Sequence, residues 1–143
     1  MSKAFSLLEI IFVLLIISII LSFFMGKFDD SLNSAYKTSI KAEISLIRNS
    51  INKINSKKIL LNQNILTKLD EALVEKEKVL LFENILQIPL LSTNSIRKDL
   101  GKWIKISSNK YKIYFTSNKY LEFEYKNNAF SCLSEINLCK EFE

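Results

Sequence analysis

Residues 5–25 read FSLLEIIFVLLIISIILSFFM, a run of 21 residues with neither glycine nor proline and with a single charge, Glu9. A helix of this length extends about 32 Å, which suffices to cross a hydrocarbon core of roughly 30 Å. A carboxylate within such a helix costs about 2.5–3.5 kcal/mol at the bilayer centre, so Glu9 requires a compensating interaction. The stretch therefore predicts a membrane-spanning helix over residues 5–26 that carries one functional charge.

Two more ordinary kinds of segment also place long apolar runs at an N-terminus. A secretory signal peptide has an apolar core of about 7–15 residues followed by a small-residue cleavage site. Here the core is longer, and residues 22–27, SFFMGK, offer no such site. An uncleaved signal anchor fits the apolar length, but it explains neither Glu9 nor the string AFSLLE at residues 4–9.

The string at residues 4–9 resembles the N-terminus of type IV prepilins and of the pseudopilins of type II secretion and DNA-uptake machines. In that family a prepilin peptidase removes a short basic leader, cutting between a small residue and a hydrophobic one, and methylates the new amino terminus. The matching residues are Lys3 in a leader over residues 1–4, Ala4 before the cut, Phe5 as the N-methylated terminus and Glu9 as the fifth mature residue. Ala4 departs from the usual Gly.

The resemblance implies a function and a set of partners. The Glu9 carboxylate would pair with the amino group of Phe5 in a neighbouring subunit, which offsets the cost of a charge in the membrane. The protein would be a minor pilin or pseudopilin of a type IV pilus-like filament or a type II secretion pseudopilus. Expected partners are the prepilin peptidase, other pilin or pseudopilin subunits, the inner-membrane assembly platform and membrane lipid. The expected location is the bacterial inner membrane, with the C-terminal domain in the periplasm, and then a periplasmic or surface filament.

A second helical pattern follows the apolar run. Apolar side chains recur at spacings of 4, 4, 3, 4 and 3, which places them on one stripe of a helix: Tyr36, Ile40, Ile44, Ile47, Ile51 and Ile54. Residues 27–58 are therefore predicted as an amphipathic continuation of the helix that carries a globular head. The same spacing is typical of a coiled-coil seam, but the heptads are too few to favour one.

Residues 59–100 give the weakest signal and are predicted as a variable helical or loop region. Residues 65–76 suit a short amphipathic helix with Asp70 on its wet side. Residues 79–86, VLLFENIL, fit either a second helix or a buried strand, because short apolar runs do not separate the two. Pro89 ends whichever element forms there.

Residues 101–143 predict an antiparallel sheet. Three turn dipeptides, at residues 108–109, 117–118 and 127–128, separate runs over 102–107, 110–116 and 119–126, and residues 129–132 suit a fourth strand. Apolar and polar residues alternate along these runs, with Tyr114 expected on the exposed face. A long N-terminal helix, membrane-spanning in its first half and packed on a small antiparallel β-meander, makes the predicted fold α+β and pilin-like.

The two cysteines, Cys132 and Cys139, are close in sequence and favour a structural disulfide over free thiols. Closing so short a loop contributes roughly 2.5 kcal/mol on the chain-entropy estimate. A zinc site is a poor alternative, because the chain has no histidine and two thiols do not complete the usual four ligands.

No enzyme is predicted. Histidine, the commonest general base, is missing, and two glycines cannot form a phosphate-binding loop. Major pseudopilins of type II secretion bind calcium in a C-terminal loop, but Glu135, Glu141 and Glu143 lack the dense spacing that such a loop needs. We therefore expect no catalytic residue, metal or cofactor.

The charge pattern offers an alternative function. The net charge is +5, and residues 97–126 contain eight basic residues against three acidic ones, interleaved with aromatic residues. Such a surface suits contact with DNA during uptake, and the expected contacts are Lys102, Lys105, Lys110, Lys112 and Lys119. A lysine-rich solvated sheet explains the same pattern. A third reading is a plain signal-anchored periplasmic domain, which requires that Phe5 is never exposed as a terminus.

Overall fold

The computed structural model describes residues 7–143, including the side-chain environments of residues 7–23 and 34–143. The elements follow in the order α1 (Leu7–Leu60), β1 (Leu80–Leu81), β2 (Leu90–Leu91), β3 (Trp103–Lys105), β4 (Lys110–Tyr114), β5 (Tyr120–Lys126), β6 (Ala129–Cys132) and α2 (Ile136–Phe142). A helix followed by antiparallel sheets makes this an α+β protein, as the sequence predicts. The chain forms two compact units, residues 1–35 and residues 36–143, and we call the second unit the head.

The stripe predicted on the helix supplies one side of the core of the head. Ile40, Ile44, Ile47 and Ile51 are at most 1% exposed, and Ile54 packs half-buried against them. Because one turn of an α-helix takes 3.6 residues, spacings of three and four keep these side chains on one face. This prediction is confirmed.

A four-stranded antiparallel sheet in the order β3-β4-β5-β6 supplies the other side of the core. The register pairs Trp103 with Ile113 and Tyr111 with Phe123, so alternate side chains of neighbouring strands point to the same face. Phe123 and Phe130 stack with ring centroids 5.0 Å apart. The predicted meander is confirmed, although β3 and β4 end two residues earlier than the sequence suggests.

The turn between β5 and β6 shows how the sequence sets the register. Asn127 and Asn128 have φ values of 51° and 65°, and the flanking residues Lys126 and Ala129 are paired. Two consecutive positive φ values define the two-residue hairpin turn that asparagine tolerates. The predicted turn therefore fixes which side chains of β5 enter the core.

Tyr114 is buried, so its predicted exposure is wrong. The loop that precedes β3 covers the outer face of the sheet at this point: Gly101 N–H donates to the Tyr114 carbonyl at 2.8 Å, and Lys98 Nζ lies 5.5 Å from the ring centroid. Gly101 has φ 70°, and a Cβ there would lie 2.9 Å from the Tyr36 ring. Alternation along a strand predicts the face correctly, but it does not predict what covers that face.

Residues 61–100 contain no helix in the structure, so the predicted helix over residues 65–76 is wrong. The backbone of this segment bonds to residues outside the i to i+4 spacing of a helix. Leu66 N–H donates to Asn55 Oδ1 at 3.2 Å, and Asn84 N–H donates to the Leu69 carbonyl at 3.1 Å. Residues 79–86 form neither a helix nor a full strand. Leu80 and Leu81 make a two-residue strand paired with β2, and Phe82 leaves it with φ 62°.

The C-terminal region carries an element that sequence reasoning missed. The predicted disulfide between Cys132 and Cys139 is present, and it joins β6 to the short helix α2. Phe142 of α2 is buried and its ring lies 5.0 Å from that of Phe115. The disulfide therefore holds a helix against the core as well as closing a loop.

The membrane-spanning prediction concerns residues 5–26. Within the part of the chain that the structure describes, no helix combines the length and the apolar character needed to cross a membrane.

Candidate assembly segment and basic surface

The described part of the first unit is an apolar helical surface without its own core. All residues over 7–23 are exposed, and the large apolar side chains range from 42% exposed at Ile16 to 79% at Phe23. Ser18 is polar, but its hydroxyl donates back to the Leu14 carbonyl at 2.8 Å, so it adds little polarity to the surface. Apolar surface of this extent marks a region that lipid or protein covers.

Of the predicted processing and assembly residues, Glu9 lies within this segment. Ala4 and Phe5 lie outside the described residues. Glu9 is described: it is exposed in the first turn of α1, where a negative charge interacts favourably with the helix dipole.

Four of the five lysines predicted to contact DNA lie at the surface, and acidic side chains accompany them. Lys110 is opposite Glu124, with Nζ 3.9 Å from Oε1, and Lys112 is opposite Glu122 in the register. Lys102 Nζ lies 3.3 Å from Asp99 Oδ2. The strand surface is therefore a mixed-charge ladder and not a continuous positive stripe.

Lys119 belongs to the turn between β4 and β5. Its backbone N–H donates to Thr116 Oγ1 at 3.1 Å, and the residue lines an open cleft with Tyr120 and Glu122. It is exposed, and Glu122 lines the same cleft.

Lys105 is buried, so its predicted place on a DNA-contacting surface is wrong. Its side chain is 4% exposed, and Nζ lies 2.6 Å from Asp70 Oδ1. Trp103 and Tyr111 are also buried, whereas Tyr120 is exposed beneath Lys112 Nζ, 4.5 Å from its ring centroid. Because base stacking requires exposed rings, most of the aromatic residues of this region are unavailable for it.

Asp70 is the centre of a buried polar cluster that sequence reasoning missed. Its Oδ1 accepts from Lys105 Nζ and from Ala72 N–H, and its Oδ2 accepts from the Tyr111 hydroxyl at 2.9 Å and from Phe82 N–H at 3.0 Å. Burial, with the neighbouring Asp70 charge, raises the pKa of the Tyr111 hydroxyl, so it stays protonated and donates. Four donors satisfy one fully buried carboxylate.

This cluster connects several segments of the head. The Asp70 carboxylate joins the loop after α1 to β3, to β4 and to the turn after β1. Both of its oxygens accept two hydrogen bonds each. No local pattern indicates this cluster, because Asp70 occupies a polar position in the pattern that predicts a helix over residues 65–76.

A second polar contact links α1 to the sheet. The Trp103 indole donates from Nε1 to Glu43 Oε2 at 2.7 Å. Burial raises the pKa of the Glu43 carboxyl, although the hydrogen bonds from Trp103 and Ser39 act in the opposite direction. Near the end of the chain, Glu141 pairs with Lys37 and Glu143 pairs with Arg48.

The acidic residues of the C-terminal region do not converge on one point. Among the residues that the structure describes, no group of three or more histidine, cysteine, aspartate or glutamate side chains is arranged to hold a metal ion. Glu141 and Glu143 are engaged with basic side chains of α1 instead.

Comparison of the chain with protein-family models, with curated proteins and with solved structures finds no match.

Proposed function

We propose that this chain is a structural subunit of a type IV pilus-like filament or a type II secretion pseudopilus, either a minor pilin or a pseudopilin. The observation that carries the proposal is the exposure of apolar side chains on every side of α1 over residues 7–23. A helix that is apolar all round must be covered by lipid or by other protein. Lipid would cover the helix while the subunit is in the membrane, and neighbouring subunits would cover it in the filament.

The proposed mechanism assigns a role to each residue of the N-terminal motif. The prepilin peptidase cuts between Ala4 and Phe5 and methylates the amino group of Phe5. The first half of the helix spans the inner membrane until a neighbouring subunit offers that amino group to Glu9. A charge pair in an apolar setting stabilises only when both partners are present, so the pairing favours correct register between subunits.

The head is consistent with this role because the apolar face of the second half of α1 is already buried in the core of the head. The stripe from Ile40 to Ile51 is covered by the sheet, which leaves residues 7–23 as the part that packs laterally. A disulfide between Cys132 and Cys139 suits a domain exported to an oxidising compartment such as the periplasm.

The deciding experiment is to isolate the protein from membranes of its native host and to determine its mature N-terminus by mass spectrometry. The expected species begins at N-methylated Phe5 and lacks residues 1–4. An intact Met1, in cells whose prepilin peptidase is active, would contradict the proposal and favour a plain signal-anchored periplasmic domain.

A variant series at Glu9 tests the assembly mechanism. Glu9→Leu removes the carboxylate but keeps the apolar character of the segment, so export and cleavage should continue while filament formation fails. Glu9→Asp is the matched control, because it keeps the charge and should retain part of the assembly. Normal filaments from Glu9→Leu would refute the pairing with Phe5.

The DNA-contacting competence pilin stays a prediction that rests on Lys102, Lys110, Lys112 and Lys119. The acidic partners of these lysines weaken it, since cation release from DNA requires uncompensated positive charge. Measuring DNA affinity of the purified protein over a range of salt concentrations tests it: a steep loss of affinity with salt is expected if the lysines bind phosphates, and no binding at low salt would refute it.

A further inference from the structure

The head has an apolar groove between α1 and the turn that precedes β2. Leu46 and Ile54 line it from the helix, and Ile85, Leu86 and Ile88 line it from the turn, around a cavity of about 540 Å³. Leu46 is half exposed and Ile88 is 83% exposed. The volume is within the range of about 300–1,000 Å³ that is typical of binding pockets.

The rim of this groove is positively charged. Lys53 and Lys57, one turn apart on α1, both line it and are exposed. The other described residues of its lining are apolar or neutral, with no acidic residue among them. The groove therefore favours an occupant that combines apolar side chains with flanking carboxylates.

The same chain presents a segment with that chemistry. Residues 71–77 read EALVEKE, with three carboxylates against one ammonium group, and of these carboxylates Glu71 also makes an exposed pair with Lys68, 3.3 Å from its Nζ. Leu73 and Val74 at its centre are exposed, by 62% and 48%. We call residues 71–77 the acidic loop.

The acidic loop is held rigidly at both ends. Ala72 N–H donates to Asp70 Oδ1 at 3.1 Å, and Glu75 N–H donates to the Lys105 carbonyl of β3 at 2.9 Å. The Glu75 carboxylate also accepts from Ser95 N–H and from its hydroxyl. Because its backbone is already ordered, the loop loses little conformational entropy when Leu73 and Val74 bind.

We propose that the acidic loop of one copy docks into the apolar groove of a second copy, with Leu73 and Val74 in the cavity and the flanking carboxylates beside Lys53 and Lys57. The groove and the loop share no residue. Each copy can therefore receive one neighbour and engage another, and a heterologous contact of this kind can propagate along a filament. A contact this small is weak alone and acts when other interactions hold many copies together.

This inference rests on the proposed function only in that assembly brings the heads together, and its test is separate. Two full-length variants with different epitope tags, Leu73→Cys and Ile88→Cys, are co-expressed and treated in isolated membranes with a short bifunctional maleimide. The native cysteines are paired in a disulfide and do not react. The expected product is a mixed dimer carrying both tags.

The matched control replaces Ile88→Cys with Ile96→Cys, since Ile96 is exposed to a similar degree but lies away from the groove. Mixed dimers with Leu73→Cys should form several-fold more with Ile88→Cys than with Ile96→Cys. Equal yields would overturn the proposal. So would an Ile88→Cys chain that cross-links to a different protein instead of to the Leu73→Cys chain.

Charge reversal tests the chemistry of the contact. Adding Lys53→Glu and Lys57→Glu to the Ile88→Cys chain should reduce the mixed dimer to the control level, and adding Glu71→Lys and Glu77→Lys to the Leu73→Cys chain should restore it. A yield unaffected by either change would overturn the charge pairing.

A correctly processed Phe5 terminus without the mixed dimer would leave the proposed function intact and remove this inference alone. A mixed dimer from chains that keep Met1 would support the contact between heads and contradict the proposed function.

Discussion

Residues 7–23 and the head use apolar side chains in opposite ways, although α1 contributes to both. Over residues 7–23 the apolar side chains are exposed all round the helix, whereas in the head Ile40, Ile44, Ile47 and Ile51 are buried on one face. The arrangement of the apolar residues around the helix makes the difference. A one-sided helix completes its burial within its own chain, and an all-round apolar helix depends on a surface supplied from outside.

The largest effect should come from breaking the polar cluster of the head. Asp70→Ala removes the partner of a buried ammonium group at Lys105 and of three further donors, so it should lower the free energy of unfolding by about 3–5 kcal/mol. The measurement is urea unfolding of the full chain in detergent, followed by fluorescence of Trp103, the only tryptophan. Glu71→Ala, next in sequence but exposed, should change it by less than about 0.5 kcal/mol. Equal effects would show that the cluster does not stabilise the head.

The comparison between the two stretches of α1 can be tested with one kind of substitution. Ile47→Ala leaves a cavity in the core and should cost about 2–5 kcal/mol in the same unfolding experiment. Leu21→Ala truncates an exposed side chain and should leave unfolding of the head unchanged. If Leu21→Ala destabilised the head as much as Ile47→Ala does, residues 7–23 would have to contribute to its folding.

Removal of the disulfide should have an intermediate effect. Replacing both cysteines, Cys132→Ala and Cys139→Ala, frees a short loop and should lower the free energy of unfolding by about 2.5 kcal/mol. A reducing agent added to the unmodified chain should have the same effect and should not change the double variant. A larger loss would indicate that α2 and Phe142 leave the core together with the disulfide.

The smallest effect concerns pH. Burial holds the pKa of Glu43 above its ordinary value of 4.5 in the folded state. The folded state therefore binds the proton more tightly, so this site stabilises below that ordinary value and loses its contribution as pH rises through the raised pKa. Glu43→Gln should flatten the dependence of stability on pH above about 4.5, and the effect should be small because Glu43 is only partly buried and solvent screens it.

Glu141 provides the control of opposite sign. A hydrogen bond from Lys37 lowers the pKa of its carboxyl, so this group stabilises above its ordinary pKa and the contribution is lost as pH falls. Glu141→Gln should therefore reduce stability at neutral pH and leave it unchanged in acid. If both variants responded to pH in the same way, the pKa direction of at least one of the two carboxyl groups, Glu43 or Glu141, would be wrong.

Local patterns predicted the parts of the fold that local physics determines. The spacing of isoleucines from Ile40 to Ile54 was enough to identify the buried face of the helix, and alternation identified the strands. The two asparagines at residues 127–128 predicted a turn, because few other residues accept positive φ. The disulfide followed from two cysteines close in sequence.

Contacts between distant residues were beyond prediction from the sequence. Asp70 looked like a solvent-exposed position, and only the folded chain places it within hydrogen-bonding distance of Lys105 and Tyr111. Lys105 was consequently assigned to the surface. The helix expected over residues 65–76 failed for the same reason, since Asn55 and Asp70 give its backbone alternative partners. Cleavage between Ala4 and Phe5 stays a prediction from the sequence motif.

The outer strands of the sheet have a consequence for how copies of this head meet at high local density. On β3, the Trp103 and Lys105 carbonyls accept from Thr93 and Glu75 N–H, and on β6 the Phe130 carbonyl accepts from Arg48 Nε. A sheet with free margins recruits strands from its neighbours and seeds amyloid-like growth. Because loop and side-chain donors occupy carbonyls on both outer strands, these edges are less open to pairing with a strand of another copy of the head.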